Sequence, residues 1–510
     1  MSNESSVSRR KFLLGASASV LALGRAAHLA AAPVSTEPNR DLLDLSAVDA
    51  VQAMSTGALR AEDYAGALLE RCAQLKTLNA FITLDPAFVL EQARDADRKH
   101  ASGAKLGLLH GLPIPVKDSL NTAQYATSGG TPALKGFRPS ADAPLVATLR
   151  AAGALVLGKT NLHELSFGWT SNNLAFGAVH NPYDMTRIPG GSSGGTAAAI
   201  AAHMAPLGIA EDTEGSIRVP AALCGVIGFR PTTRRYSTVG AVPACSLFDQ
   251  TGPQARCMAD IALFDRVASG DIRHFGDSTL KGVRLAMWPE FYFDGLDPQV
   301  ERITREALSK LRAAGVSIVE AEIPGLRDLL QRTADVIVDH DARVELTRYL
   351  TTYGPSVGFD ELVARASPDI RAIFAHEVMP GSPGFVSDSA YQTAAKVYLP
   401  KLRNTFQEYF ASTGAAAIVF PTTMVTAPKI GEEGDLNIAG RKVSFDVAIG
   451  RNIASGSRAG LPGLVMPSGI AANGLPVALE FDGPAGSDRM MIALGVSIER
   501  VLGHVPPPRV

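Results

Sequence analysis

The stretch "GTAAAIAAHMAPLGIAEDTEGSI" (residues 195–217) shows the order of elements that decides the fold. Small helix-forming residues come first, the apolar segment "APLGIA" follows, and a loop of acidic and small residues ends the stretch. "SADAPLVATLRAAGALVLGKTN" (140–161) has the same order, with a helix pattern, Gly153 and then an apolar run. Alternating helices and short buried strands predict an α/β fold whose central sheet is covered by helices on both faces.

The composition allows a large core and narrows the function. The chain has 510 residues, of which 46% are hydrophobic and 19% charged. The net charge is -2, so the chain has no excess of the basic residues that nucleic-acid binding requires. We therefore expect no nucleic-acid partner. Four cysteines (Cys72, Cys224, Cys245 and Cys257) are too few and too scattered for a disulfide framework or a zinc site. We therefore expect no metal and no cofactor, and the pairing of Cys245 with Cys257 stays open.

The first 32 residues differ from the rest of the chain. Arg9 and Arg10 precede an apolar stretch over 12–23, and small residues follow. This order is typical of a secretory signal, and the arginine pair is typical of a twin-arginine export signal. A membrane helix and a chance basic pair before a buried helix are the alternatives, but the stretch is shorter than the ~20 residues that span a bilayer. We predict a signal peptide over 1–32, no membrane span, and a periplasmic or secreted protein.

Residues 33–510 are predicted to form a single domain, because no internal repeat or low-complexity linker interrupts them. Within this domain, about 320–415 is richer in helix patterns and charge, which predicts a helical insertion or a cap over the site. Strand patterns return at "AAAIVFPTT" (415–423) and "GLPVALEF" (474–481), and the last helix starts near Ser487.

The serine pair matches the G-x-S-x-G pattern twice, once around Ser192 and once around Ser193. In α/β-hydrolases this pattern follows a strand. The preceding "NPYDMTRIP" (181–189) has two prolines and no apolar run, so it is a poor strand. The poor strand argues against an α/β-hydrolase. An esterase that uses Ser193 and a histidine is kept as an alternative. The available histidines are His203, His274, His340, His376 and His504.

Three stretches together carry the candidate chemistry: "PIPVKDS" (113–119), "RIPGGSSGGTAAAIAA" (187–202) and "EDTEGSIRVPAALCGVIGFRPT" (211–232). They contain Lys117, Ser192 and Ser216. A serine hydroxyl is a weak nucleophile until a base takes its proton, and a lysine is a base only when neutral, a form that burial favours. A second serine can accept a proton from one partner and donate to the other.

These stretches and their spacing resemble the amidase signature enzymes. The similarity extends from about Leu42 to the C-terminal helix, is strongest over 108–240, and is supported by "LPGLVMPSG" near the end. The resemblance implies the amidase signature fold, with a central mixed sheet. It also implies amide hydrolysis by a Ser-Ser-Lys triad, with Ser216 as nucleophile, Ser192 as relay beside a cis peptide bond, and Lys117 as base. An acyl-enzyme then forms on Ser216.

The resemblance further implies roles for neighbouring residues. The oxyanion hole would consist of backbone N–H groups of Thr213, Glu214, Gly215 and Ser216. Asp212 and Arg218 would pair and hold the loop, and Ser193 would cap or hydrogen-bond near the following helix. Glu214 departs from the glycine that is common in the family. Its carboxylate is unfavourable near an oxyanion unless it points away or meets a cationic or hydrogen-bonding part of the substrate.

"HELSFGWTSNNLAFG" (163–177) and "GFRPTTRRYSTVGAVP" (228–243) most resemble the branch that acts on arylacetamides, such as mandelamide and indoleacetamide hydrolases. The resemblance implies a small-molecule amide substrate. Phe167 and Trp169 either line its acyl pocket or pack in the core. A non-catalytic periplasmic binding protein on the same fold is a further alternative. The sequence leaves the oligomeric state open, a homodimer included.

Overall fold

The computed structural model describes residues 40–273, 275, 279–333 and 335–510. The predicted signal peptide (1–32) and the candidate residue His274 lie outside the described residues. The described part of the chain belongs to one compact unit. None of the helices within it is long and apolar enough to cross a membrane.

Short strands occur along the whole described chain: β1 Phe81–Leu84, β2 Pro113–Lys117, β3 Leu155–Thr160, β4 Asn172–Asn173, β5 Gly177–Ala178, β6 Leu207–Asp212, β7 Ile227–Arg230, β8 Gln250–Ala255, β9 Arg284–Met287, β10 Ser317–Glu320, β11 Ala417–Pro421, β12 Asp435–Ile438, β13 Arg441–Ser444, β14 Gly463–Ile470 and β15 Pro476–Asp482. Within the described residues, eleven of these strands form one sheet in the order β1-β3-β2-β6-β8-β7-β14-β15-β11-β9-β10. The β4-β5 and β12-β13 pairs are small separate sheets.

The large sheet is mixed. Strand β2 runs parallel to β3 and β6, and β9 runs parallel to β10 and β11. The central strands β6, β8, β7, β14 and β15 pair antiparallel in that order. The predicted mixed sheet is therefore confirmed.

Helices follow most strands: α1 Arg40–Asp44, α2 Ala47–Thr56, α3 Ala61–Gln74, α4 Pro86–Ala101, α5 Pro144–Ala151, α6 Gly194–Ala201, α7 Arg218–Leu223, α8 Met258–Ala268, α9 Pro289–Tyr292, α10 Pro298–Ala313, α11 Leu326–Thr333, α12 Asp335–Tyr353, α13 Phe359–Arg365, α14 Pro368–Ile373, α15 Asp388–Thr393, α16 Leu399–Thr413, α17 Phe445–Gly450, α18 Ala454–Ala459 and α19 Asp488–Leu502. Every residue of β2, β3, β6 and β15 is buried. Because successive side chains of a strand point to opposite faces, full burial requires cover on both faces. The α/β fold with helices on both faces is thus confirmed.

Strand β6 is longer than the sequence pattern indicates. The apolar segment ends at Ala210, but the strand continues through Asp212 because Glu211 and Asp212 pair with Thr251 and Gln250 of β8. Two acidic side chains therefore lie within a buried strand, and both are almost fully shielded from solvent.

The segment predicted as a helical insertion or cap contains helices α11 to α16. Part of it forms a hydrophobic cluster of its own, in which Leu346 and Phe374 pack with Leu134 and Leu165. These last two residues belong to the segments that follow β2 and β3. The helical segment therefore packs beside the ends of the strands that carry the candidate site.

Candidate active site

Lys117 lies at the carboxyl end of β2, where the sheet buries it completely. Because β2 runs parallel to β3 and β6, the carboxyl ends of the three strands meet at one edge of the sheet. Lys117 Nζ donates a hydrogen bond to Ser192 Oγ at 2.7 Å and another to Glu211 Oε2 at 2.8 Å. Lys117 therefore contacts Ser192, as predicted, and also Glu211, which the sequence pattern alone does not indicate.

Ser192 lies in the loop that leads into α6, and its peptide bond with Gly191 is cis. A Cβ atom on Gly191 would lie 2.8 Å from the backbone carbonyl carbon of Trp169, so only glycine allows the two backbones to approach this closely. Ser171 Oγ donates to the Ser192 carbonyl at 3.1 Å and accepts from the Gly194 N–H at 3.0 Å. The loop is thus held against the segment that follows β3.

Ser216 follows β6 in a tight loop and is 3% exposed. Gly215 has a φ angle of 111°, a conformation that favours glycine. The Asp212 carboxylate accepts hydrogen bonds from the backbone N–H groups of Gly215 (2.7 Å) and Ile217 (3.0 Å). The Ser193 N–H donates to the Ser216 carbonyl at 3.3 Å, so the serine-pair loop and the Ser216 loop are directly joined.

Buried charges hold Asp212 in place. Arg218 Nε donates to Asp212 Oδ2 at 3.1 Å, and Arg230 Nη1 donates to Asp212 Oδ1 at 2.8 Å. Arg218 also pairs with Glu480 of β15. Burial raises the pKa of Asp212, but the positive charges of Arg218 and Arg230 outweigh it and lower the pKa well below its usual value. Asp212 is therefore ionised in the folded protein, and its predicted contact with Arg218 is formed.

The structure corrects one predicted oxyanion donor. The Gly215 N–H already donates to Asp212 at 2.7 Å, so it holds the loop closed and does not point to a substrate. The N–H groups of Thr213, Glu214 and Ser216 form no hydrogen bond with any described residue. These three groups therefore stay as predicted donors, without Gly215.

The carboxylate of Glu214 is bound by Arg458 of the same chain. Arg458 donates to both oxygens of its carboxylate, from Nε at 2.6 Å and from Nη2 at 3.0 Å. Arg458 Nη1 also donates to the Leu330 carbonyl of α11 at 3.0 Å. The φ angle of Glu214 is not positive, so its side chain causes no strain of that kind. Arg458 thus neutralises the negative charge of Glu214, the residue that departs from the expected glycine.

Ser193 supports the loops, although its side chain does not cap α6. Its Oγ instead donates to the Glu211 carbonyl at 3.0 Å, so the capping role is wrong because the hydroxyl is engaged by β6. None of the described candidate histidines forms a hydrogen bond with Ser193. Their ion-pair partners are Asp44 for His203, Asp341 and Asp388 for His340, Glu377 for His376, and Glu499 for His504.

The two candidate pocket aromatics, Phe167 and Trp169, are both partly buried. Phe167 packs edge-on against Phe374, with ring centroids 5.0 Å apart. Trp169 Nε1 donates to the Glu214 carbonyl at 3.0 Å, and its ring lies close to Gly450, where an added Cβ would be 2.8 Å away. Trp169 therefore borders the loop of the predicted oxyanion donors, and its contact with substrate stays a prediction.

Sequence reasoning missed Glu211 and Arg458. The only signal for Glu211 is its place directly after an apolar strand, and the pattern assigns that place to the loop. Arg458 lies 244 residues after its partner Glu214, and nothing in the local sequence links the two.

All four cysteines are free, so Cys245 and Cys257 do not form a disulfide. Cys245 Sγ instead donates to Asp341 Oδ2 at 3.4 Å. Across the described parts of the chain, no group of three or more His, Cys, Asp and Glu residues is placed to hold a metal ion.

Residues 63–492 match the family model described as "Amidase". The chain belongs to the amidase family. It is 36% identical over 450 residues to indoleacetamide hydrolase of Agrobacterium vitis, which covers 87% of this chain and 95% of that protein. It is also 36% identical over 455 residues to mandelamide hydrolase of Pseudomonas putida, with 87% and 88% coverage.

Solved amidase structures have the same fold. A crystal structure of an amidase matches with a TM-score of 0.78 and 28% identity, covering 90% of this chain and all of the other. Native peptide amidase from Stenotrophomonas maltophilia matches with a TM-score of 0.74 and 28% identity, covering 92% of this chain and 99% of that one. This chain is therefore an amidase in fold as well as in sequence.

We predict that Arg218→Met destabilises this amidase by about 3–5 kcal/mol at pH 7, because it leaves buried carboxylates without their shared guanidinium. The lowered pKa of Asp212 contributes stability that is present above its unfolded pKa of ~3.9 and is lost as the pH falls. The difference between wild type and variant should therefore shrink below about pH 5. Urea unfolding across this pH range measures both effects.

Arg305→Met is the matched control. Its guanidinium pairs with Glu301 at 2.7 Å on an exposed face of α10, where an ion pair contributes about 1 kcal/mol or less. Equal losses in the two variants, or a loss in Arg218→Met that does not change with pH, would contradict the buried network.

Proposed function

We propose that this amidase hydrolyses a small amide to an acid plus ammonia or an amine by a Ser-Ser-Lys mechanism. The observation that carries the proposal is the 2.7 Å hydrogen-bond distance between Lys117 Nζ and Ser192 Oγ in a fully buried site. The hydrogen bond from the Ser193 N–H to the Ser216 carbonyl joins this pair to the loop of the proposed nucleophile.

In the acylation step, Ser216 Oγ bonds to the amide carbonyl carbon. Ser216 gives its proton to Ser192 Oγ, and Ser192 gives its own proton to neutral Lys117 Nζ. The N–H groups of Thr213, Glu214 and Ser216 receive the negative charge of the oxyanion, each contributing about 3–4 kcal/mol. The proton returns through Ser192 to the leaving nitrogen, the C–N bond breaks, and the acyl group stays on Ser216.

In the deacylation step, water replaces the amine. Ser192 and Lys117 accept a proton from the attacking water, which adds to the acyl carbon. The oxyanion collapses, the bond between the acyl carbon and Ser216 Oγ breaks, and the proton returns to Ser216. The acid leaves and the three side chains regain their starting protonation states.

We predict that alanine variants of Ser216, Ser192 and Lys117 each lower kcat/KM for amide hydrolysis by roughly 1,000-fold or more, because the three groups act as a unit. Ammonia release from phenylacetamide, mandelamide, indole-3-acetamide and propionamide measures the rate. A fluorophosphonate probe should label wild-type Ser216 and leave Ser216→Ala unlabelled.

Ser193→Ala separates this proposal from the esterase alternative. It keeps the backbone N–H that contacts Ser216, so most of the amidase rate should remain. Loss of activity in Ser193→Ala together with normal rates in Lys117→Ala would favour the esterase. No labelling and no hydrolysis by wild type would favour a binding protein on the same fold.

For the substrate class, we propose aryl primary amides. Relatives that are 36% identical over most of their length are an indoleacetamide hydrolase and a mandelamide hydrolase, each named for an aryl amide. Trp169 also supports this class, since it borders the proposed oxyanion loop with its ring. A flat aromatic surface there suits an aryl acyl group.

We predict that Trp169→Leu raises KM for phenylacetamide by roughly 10-fold, which corresponds to ~1.4 kcal/mol of lost contact. The KM for propionamide should change far less, because this substrate has no ring to contact. Phe264→Leu, a buried aromatic in α8 that packs on Tyr236, is the control for a general packing defect. Equal changes for both substrates in Trp169→Leu would contradict an aryl pocket at this position.

We also propose that residues 1–32 direct export by the twin-arginine route. The arginine pair and the apolar stretch after it support this proposal. Replacing Arg9 and Arg10 with lysines should keep the protein in the cytosolic fraction, because the export receptor reads the arginine pair. Cell fractionation with the wild-type chain as control measures this, and equal periplasmic amounts of both chains would contradict the route.

A further inference from the structure

One carboxylate in the site has no role in the triad. Glu211, at the end of β6, is 1% exposed, and its Oε2 accepts a hydrogen bond from Lys117 Nζ at 2.8 Å. The same nitrogen donates to Ser192 Oγ at 2.7 Å. The lysine nitrogen therefore lies between the hydroxyl that hands it a proton and a negative charge.

The Glu211 carboxylate is held from several sides. Ser166 Oγ donates to Oε2 at 3.2 Å, and Thr213 Oγ1 donates to Oε1 at 3.1 Å. The Glu211 backbone carbonyl accepts from Ser193 Oγ at 3.0 Å and from Lys117 Nζ at 3.4 Å. Glu211 is thus connected to the serine-pair loop, to the Ser216 loop and to the lysine, so its position relative to Nζ is fixed.

We infer that Glu211 is a positioning residue that acts through Lys117. It holds Nζ against Ser192 and stabilises the ammonium that forms when Lys117 accepts the proton of Ser216 through Ser192. A lone ammonium in a dry interior is costly, whereas one beside a carboxylate is compensated. The proton returns through Ser192 to the leaving nitrogen, so no net proton is consumed. This inference rests on the proposed triad.

Other titratable groups face this pair. Thr213 Oγ1 also lies 2.7 Å from Asp249 Oδ1, so Glu211 and Asp249 share its single hydroxyl proton, and burial together with the negative charge of Glu211 raises the pKa of Asp249 to about 7. Burial lowers the pKa of His163, whose backbone N–H donates to the Ser192 carbonyl. Asp118, which follows Lys117 in the chain, pairs with Lys159 at 2.9 Å, and this pair is as buried as the pair of Lys117 and Glu211.

The experiment follows the rate at which a fluorophosphonate labels Ser216 as a function of pH, together with kcat/KM for phenylacetamide. In Glu211→Gln we expect the plateau rate to fall roughly 10- to 100-fold, a part of the roughly 100- to 10,000-fold that a general base supplies. The acid limb of the profile should also move to lower pH, because the ammonium of Lys117 loses its stabilising partner. Glu211→Asp keeps the charge and should lie between Glu211→Gln and wild type.

Asp118→Asn is the matched control, since it disrupts a buried lysine–carboxylate pair of similar burial that does not contact Ser192. It should lose stability without moving the acid limb. Glu211→Gln in an Asp249→Asn background should still move the limb, which separates the effect from titration of Asp249.

If Glu211→Gln does not fold, Ser166→Ala keeps the experiment decisive. It removes one donor from the carboxylate, which then binds the ammonium more strongly, so the acid limb should move to higher pH. An unmoved limb in Ser166→Ala, and in Glu211→Gln where it folds, with Ser216 still labelled in wild type, would overturn the inference and leave the triad intact. No labelling of wild-type Ser216 would instead overturn the proposed triad.

Discussion

The carboxylate of Asp212 is the centre on which the site depends. It is buried, and it accepts hydrogen bonds from two guanidinium groups and two backbone N–H groups. The positive charge of the two guanidinium groups, together with the two N–H donors, offsets the cost of burying the carboxylate. The Gly215 N–H is used in this network, which fixes the path of the loop to Ser216. The N–H groups of Thr213, Glu214 and Ser216 take no part in this network.

The network also ties distant parts of the fold to the loop. Arg218 begins α7, Arg230 ends β7, and Glu480 lies in β15, on the far side of β14 from β7. Arg458 of α18 connects the Glu214 side chain to the Leu330 carbonyl in α11. The loop around the proposed nucleophile is therefore supported by the sheet below it and by the helical segment beside it. Such preorganisation matters because oxyanion donors act only when they are already in place.

Lys117 and Glu211 meet because their strands are parallel neighbours. Lys117 ends β2 and Glu211 lies near the end of β6, so both side chains reach the same sheet edge. The buried pair has a consequence for the chemistry of the amidase. A lysine that must gain and lose a proton within one cycle needs its charged form to be tolerated, and a carboxylate at 2.8 Å provides that tolerance.

Much of the fold and part of the site could be predicted from the sequence. Apolar runs located β3, β6, β11 and β15, the first three after helix patterns, because burial on both faces leaves few polar residues in such strands. The sequence pattern ends β6 too early, because Glu211 and Asp212 are charged yet belong to the strand. Periodicity cannot show that a buried charge has a partner, because the partners of Asp212 come from other strands and helices.

The sequence by itself determined the α/β alternation, the candidate triad of Lys117, Ser192 and Ser216, and the need for glycine near the two serines. These features depend on residue type and spacing, within one segment for the alternation and the glycines, and across three segments together with the family resemblance for the triad. Only the tertiary structure decided which N–H groups of the Ser216 loop are unbound, where the Glu214 carboxylate points, and that Glu211 stands beside Lys117. Those outcomes depend on contacts between residues up to 244 positions apart, and hydrogen bonding and charge compensation of that range are set by packing and not by local sequence.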